Sequence, residues 1–280
     1  MLKSYFFIPA NRVDFINKID RIKADYLIFD LEDSINDSIY YECVENLRSF
    51  KKRSNYFIRT KFFENKRFIS KNIDDSIKLG FFNFVIPKLD EISQIVEIEE
   101  FMVKNFKNDF EKYSFILLVE SPKALMFLKE ILLKTKLNIV ALALGSHDYC
   151  RNIGMKHNLE NLDFARQFVL NIARAFNLVA IDIASMQVSK LQYFEKEAMS
   201  AFEMGYEAKF ILHPEQLKVL KNLVYYNKLE IKEAKEVLKI VEETNVEKFT
   251  VIKVGPKLYE KPHLKRFSDI IEWSENNGKQ

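Results

Sequence analysis

Glycine, proline, cysteine and histidine are all scarce in this chain: six Gly, six Pro, two Cys and four His among 280 residues. No glycines are spaced as GxGxxG or as a P-loop, so nucleotide-dependent redox and kinase chemistry receive no support. No GxSxG elbow or Ser/His/Asp order is present. Cys43 and Cys150 are too few for a disulfide scaffold and lack CxxC spacing, and no two histidines have metal-ligand spacing. No segment approaches the ~20 apolar residues needed to cross a bilayer. Residues Met1 to Ala10 lack the apolar region and cleavage site of a signal peptide. These absences predict a cytoplasmic protein with no membrane partner. Net charge is +3, from 43 basic and 40 acidic residues, which argues against a nucleic-acid partner. No linker or low-complexity tract is visible.

Eight short apolar runs recur with helix-length segments between them. They are Ser4–Pro9, Asp25–Leu31, Asn55–Lys61, Phe82–Pro87, Ser114–Glu120, Asn138–Gly145, Val179–Ser185 and Ala208–Pro214. The runs are continuous rather than alternating, as expected of parallel strands covered on both faces. Helical spacing marks Arg12 to Lys23, Ser93 to Val103 and Leu162 to Phe176. Eight strands alternating with helices predict an α/β fold of the (β/α)₈ TIM-barrel type, with its chemistry at the C-terminal strand ends. Residues 1–222 form the expected barrel. Residues 223–280 form an appendage: helical to Thr244, a β-like run at Phe249–Val254 ending at Gly255-Pro256, and a helix from Pro262.

Polar residues close several runs. Glu120 and Asp148 follow the fifth and sixth, and neighbouring parallel strands lie only ~4.8 Å apart, so the two carboxylates can share one ion. Carboxylates with open positions beside them suit Mg²⁺; the structural alternative is helix capping by Asp148 and a surface role for Glu120. Arg59 ends the third run, where a guanidinium is costly unless it meets an anion. It can pair with substrate, or with Asp30 or Glu32. Asp30, Glu32 and Asp33 form an acidic cluster after the second run that needs nearby cations, with Asp33 the best placed of them to cap the following segment. Lys88 follows Pro87 and can meet a carboxylate or phosphate. His213 closes the eighth run, where a lone histidine is more often structural.

At these residues the chain resembles the HpcH/HpaI aldolase and citrate lyase β-subunit family. The matching segments are Phe6-Phe-Ile-Pro-Ala-Asn11, Ile28-Phe-Asp-Leu-Glu-Asp-Ser-Ile35, Ile58-Arg59, Ile86-Pro-Lys88, Val119-Glu120, Gly145-Ser-His-Asp148, Phe164-Ala-Arg166, Ala180-Ile-Asp182, and Lys209 through Gln216. Each is short; their joint order is specific. The resemblance implies an oligomeric, Mg²⁺-binding barrel, with Glu120 and Asp148 as metal ligands and Arg59 on the substrate. It further implies cleavage or formation of a carbon–carbon bond beside a carbonyl. The substrates implied are hydroxyacyl thioesters such as citryl, citramalyl or malyl groups on coenzyme A or a carrier protein. Gly255-Pro-Lys-Leu-Tyr-Glu-Lys-Pro262 resembles a family tail that reaches a neighbour's site, with Glu260 where aspartate is usual. Lys61, Tyr40 and Val44 depart from the family pattern where thioesters are commonly held.

A Mg²⁺-dependent lyase is therefore expected, with Glu120 and Asp148 on the metal. Arg59, Glu120 and Lys88 are expected on the substrate, and Arg59, Glu260, Asp30 and Glu32 as catalytic candidates. A homo-oligomer, trimer or hexamer, is expected. Two alternatives stay open: an aldolase acting on a free hydroxy or keto acid, and a non-catalytic barrel subunit of a larger complex.

Overall fold

The computed structural model describes residues 1–243 and 251–277. The chain divides into two compact units, Leu2–Asn222 and Leu223–Gln280.

In the first unit eight parallel strands close a barrel: β1 (Lys3–Pro9), β2 (Tyr26–Asp30), β3 (Tyr56–Arg59), β4 (Asn83–Ile86), β5 (Ser114–Val119), β6 (Asn138–Leu144), β7 (Val179–Asp182) and β8 (Ala208–Ile211). Each strand pairs with its sequence neighbours, and β8 closes on β1. Seven of the predicted runs contain one of these strands whole, and β1 begins one residue before its run, at Lys3. Along β1, Tyr5 and Phe7 point into the barrel while Phe6 and Ile8 are buried on its outer side. The interior is filled by Phe7, Phe57 and Phe210 beside the small Ala141, Ala143 and Ala208, a large-with-small arrangement that packs without voids.

Helices α1 (Val13–Ile16), α2 (Tyr40–Arg48), α3 (Ser70–Lys78), α4 (Ile92–Phe106), α5 (Pro122–Lys134), α6 (Ser146–Ile153), α7 (Leu159–Ala175), α8 (Leu191–Met204) and α9 (Pro214–Lys221) connect the strands. The local chemistry explains their ends. The Ser121 side chain accepts the Ala124 N–H and Pro122 opens α5. Gly154 and Gly205 close α6 and α8 in the left-handed conformation that an L side chain resists. His213 caps α9 by accepting the Glu215 N–H on Nδ1, which gives it the structural role.

One predicted helix is broken. Arg12 to Lys23 yields only the single turn of α1 and a 3₁₀ turn at Ile19–Arg21. The segment carries four β-branched residues together with Asn17 and Asp20, all weak helix formers, and Val13 is left exposed.

The second unit contains α10 (Lys228–Glu243), β9 (Val251–Val254), β10 (Lys257–Glu260) and α11 (Lys261–Asn277). Thr244 and the start of the Phe249–Val254 run lie outside the described residues. The strand stops at Gly255-Pro256 as expected. Gly255 turns the chain at φ 57° and the chain returns as β10, antiparallel to β9. Ala234, Val237, Ile252, Tyr259 and Phe267 form this unit's own core. Among the described residues, no helix is long and apolar enough to cross a membrane.

Candidate active site

A cavity of about 410 Å³ opens at the C-terminal ends of the barrel strands, over a floor of Phe7, Leu118 and Phe210. Asp30, Asp33, Arg59, Glu120 and Asp148 all line it. Five polar groups separated by up to 118 residues of sequence thus meet because the strands that end at or just before them are parallel and close into a ring.

The β2–β3 register sets Asp30 beside Arg59. The pair is two-pronged: Arg59 Nε donates to Asp30 Oδ1 at 2.7 Å and Nη2 to Oδ2 at 2.6 Å. Its Nη1 lies 3.4 Å from Asp33 and 3.6 Å from Glu32. Burial disfavours the Arg59 cation, but Asp30 first, then Glu32 and Asp33, outweigh it and hold the guanidinium charged. Asp30 also accepts the N–H groups of Glu32 and Ser34. Asp30 rather than Asp33 therefore fixes the turn after β2, because its position at the strand end lets both of its oxygens face that loop.

Lys88 has a left-handed backbone, φ 54°, which is strained for a residue with a side chain. The strain turns its N–H toward Glu120 Oε2, 2.8 Å away. Its ammonium bonds Glu32 and, at 2.9 Å, Asp33. Burial opposes charge on Asp33, but Lys88 and Arg59 overcome this and hold its pKa below the ordinary range. Burial raises the pKa of Glu32, against the pull of Arg59 and Lys88.

The β5–β6 register pairs Val119 with Leu144, which puts Glu120 beside Gly145. A Cβ on Gly145 would stand 2.8 Å from Glu120 Oε1, so only glycine leaves room for this carboxylate. Glu120 is buried, and burial pushes its pKa up to about 8, with Glu32 and Asp148 adding repulsion against the help of Arg59 and the Lys88 N–H. Asp148 sits in the first turn of α6, where the helix dipole favours an anion. Arg151 approaches its Oδ1 at 2.6 Å. Asp148 lines the cavity and does not cap the helix.

Glu32 and Lys88 stand behind this set, and Glu260 ends β10 in the second unit, exposed, its N–H donating to His263 Nδ1. Three further contributors come from the fold. Gly145 makes room for Glu120. His147 lines the cavity and stacks on His157 with ring centroids 4.0 Å apart. Ala184 and Met186 form the opposite wall. A glycine directly after a strand, in a chain with so few, was the one sequence signal available for the first; the other two depend on tertiary packing. Among the described residues, no three His, Cys, Asp or Glu side chains cluster to hold a metal by themselves.

A closed parallel barrel with an acidic, guanidinium-bearing cavity at its strand ends defines a (β/α)₈-barrel enzyme. The model of the HpcH/HpaI aldolase/citrate lyase family matches residues 3–214, and the chain belongs to that family of carbon–carbon lyases. It is 22% identical to the citrate lyase subunit beta of Haemophilus influenzae over 96% of each chain. It is 25% identical to the mitochondrial citramalyl-CoA lyase of Mus musculus, over 78% of this chain and 70% of that one. In fold it matches Mycobacterium tuberculosis CitE, solved with magnesium, acetoacetate and coenzyme A, at a TM-score of 0.81 and 17% identity, covering 99% and 98% of the two chains.

Proposed function

We propose that this protein is a Mg²⁺-dependent lyase that breaks or forms the carbon–carbon bond of a hydroxy acid or hydroxyacyl thioester by retro-aldol or retro-Claisen chemistry. The observation that carries it is the convergence of Glu120, Asp148 and Arg59 on one cavity. M. tuberculosis CitE structures containing magnesium with oxaloacetate or with pyruvate support it.

The donor set fits Mg²⁺. Glu120 and Asp148 offer hard oxygens and leave positions for water and substrate. The raised pKa of Glu120 comes first from burial, a cost to its charged form that a divalent cation beside it would offset. Bound there, Mg²⁺ would supply Lewis-acid polarisation of the substrate's oxygens. The chain's own groups do the rest. Arg59, fixed in orientation by Asp30, presents its Nη1 edge to a substrate carboxylate and to the oxygen on which charge develops. The apolar floor keeps water away and strengthens those interactions. We assign Asp30 and Glu32 to positioning, because Arg59 holds both oxygens of Asp30 and Lys88 holds Oε1 of Glu32. Lys88 likewise holds the acidic loop. Glu260 of a neighbouring copy, as the resemblance of its tail implies, is our candidate for moving the hydroxyl proton.

Calorimetric titration with Mg²⁺ and pyruvate tests the site. Wild type is expected to bind pyruvate only with the metal, and Glu120→Ala and Asp148→Ala are expected to lose that binding. Metal-dependent binding retained in either variant refutes the assignment.

A further inference from the structure

We propose that Met186 is a specificity-determining residue: it partitions the active-site cavity from a second cavity beside it and so limits how far a bound substrate can extend; this rests on the lyase function proposed above. The second cavity, about 360 Å³, is lined by His157, Asn158, Gln187, Tyr193, Lys196 and Glu197. His147 and Met186 line both cavities and therefore form the wall between them.

The two wall residues are held very differently. His147 stacks on His157 with the ring planes 3° apart, and His157 Nε2 meets Ser146 Oγ at 2.9 Å. Movement of His147 has to break that stack. Met186 is 61% exposed, and its unbranched thioether adapts its shape to what it meets. Of the pair, Met186 is the residue whose size and rotamer decide whether the two cavities communicate.

The backbone beneath Met186, by contrast, is fixed. The β7–β8 ladder ends at the pairs Ile181–Ala208 and Asp182–Lys209. Beyond it, side chains take the place of the missing ladder. Lys209 is fully buried and paired with Asp182 at 2.9 Å, and it donates to the Ile183 carbonyl at 2.9 Å. Gln216, fully buried in the first turn of α9, donates to the Ser185 carbonyl at 2.8 Å and accepts the Leu212 N–H at 2.9 Å. One side-chain amide thus joins the segments after β7 and β8, as a peptide group of a neighbouring strand would. Those segments carry Ala184, Met186 and Leu212 to the active-site cavity. Gln216 is therefore a positioning residue that holds the backbone from which Met186 projects.

This wall stands across from the polar groups. Arg59, Glu120 and Asp148 end or follow β3, β5 and β6, whereas Ala184, Met186 and Leu212 follow β7 and β8. An acid anchored by its oxygens on the first set turns its remaining carbons toward the second. A close-fitting apolar wall discriminates against one added methylene by about tenfold or more. With Met186 cut back, the second cavity becomes available to that extension.

The experiment is calorimetric titration of the full chain, saturated with Mg²⁺, with pyruvate and with 2-oxopentanoate, which is longer by two methylenes. The quantity read is the ratio of the two affinities. Wild type is expected to prefer pyruvate. Met186→Ala is expected to narrow that preference by about tenfold or more. Gln216→Met, which fills similar space without the two hydrogen bonds, is expected to narrow it by a smaller factor. A misfolded fraction lowers the number of sites titrated and leaves the ratio of affinities alone, so a loss of stability in Gln216→Met does not imitate the effect. Equal affinity of wild type for the two acids, or a ratio unchanged or widened in Met186→Ala, overturns the proposal. A ratio unchanged or widened in Gln216→Met overturns the positioning role. Absence of Mg²⁺-dependent pyruvate binding in wild type overturns the lyase assignment, and the role of Met186 falls with it.

Discussion

Glu120 makes the stability of the metal-free protein depend on pH in an unusual direction. Burial raises its pKa from an ordinary 4.5 to about 8. In the unfolded chain the carboxyl ionises near 4.5, whereas in the native barrel it keeps its proton to about pH 8. Across that interval the native state binds more protons than the unfolded state, so stability falls as pH rises. The slope approaches about 1.4 kcal/mol per pH unit, and the interval amounts to on the order of 5 kcal/mol. Glu120→Gln keeps the shape without the titration. Urea denaturation in EDTA, at about pH 5 and about pH 9, is expected to show wild type losing several kcal/mol relative to the variant. Mg²⁺ at the higher pH is expected to restore wild type and leave Glu120→Gln unchanged. A wild-type-to-variant difference that is the same at both pH values refutes the argument.

Gly145→Ala is expected to drive Glu120 from its place and weaken Mg²⁺ binding by about 10- to 100-fold, read by calorimetry; an unchanged affinity contradicts the close contact. Asp182 lies fully buried between Lys209 and Arg166. Burial opposes its charge, but these two cations outweigh it and depress its pKa. Its contribution is present above the ordinary aspartate pKa and is lost as pH falls through the depressed value, so Asp182→Asn is expected to cost about 3–5 kcal/mol at neutral pH and less in strong acid, measured by urea unfolding. Met126, Phe127, Leu133 and Phe164 are exposed on α5 and α7, and light scattering at micromolar concentration is expected to give a trimer or hexamer; a monomer refutes this.

The barrel was legible because strands buried on both faces must be apolar along their whole length, as Phe115–Val119 and Ile139–Leu144 are. Glu120, Asp148 and Arg59 were legible as cavity-lining groups because each ends or closely follows such a run, at the end of the barrel where the strands open. The break in Arg12–Lys23 was not legible, since apolar spacing alone does not overcome weak helix propensity. The second strand of the β9–β10 hairpin was hidden because Lys257–Glu260 has little apolar character. The pairing of Arg59 with Asp30 was one of the readings the sequence offered, whereas that of Lys88 with Glu32 depends on which strands become neighbours. So does the turn-fixing role of Asp30, where the local sequence favoured Asp33.

Lys88 has a mechanical consequence. Its backbone N–H holds Glu120 after β5 while its ammonium holds Glu32 and Asp33 after β2, and Arg59 after β3 is clamped to the same acidic loop. One residue thus ties three loops into a single rigid arc, and the cost of its left-handed backbone is spread over the whole arc. Opening this side of the rim breaks the buried Arg59–Asp30 pair together with the half-exposed Lys88 pairs. The opposite arc is tied differently: Met186 stands largely exposed at the cavity edge, and the backbone before it is held from below by Lys209 on the Ile183 carbonyl and Gln216 on the Ser185 carbonyl.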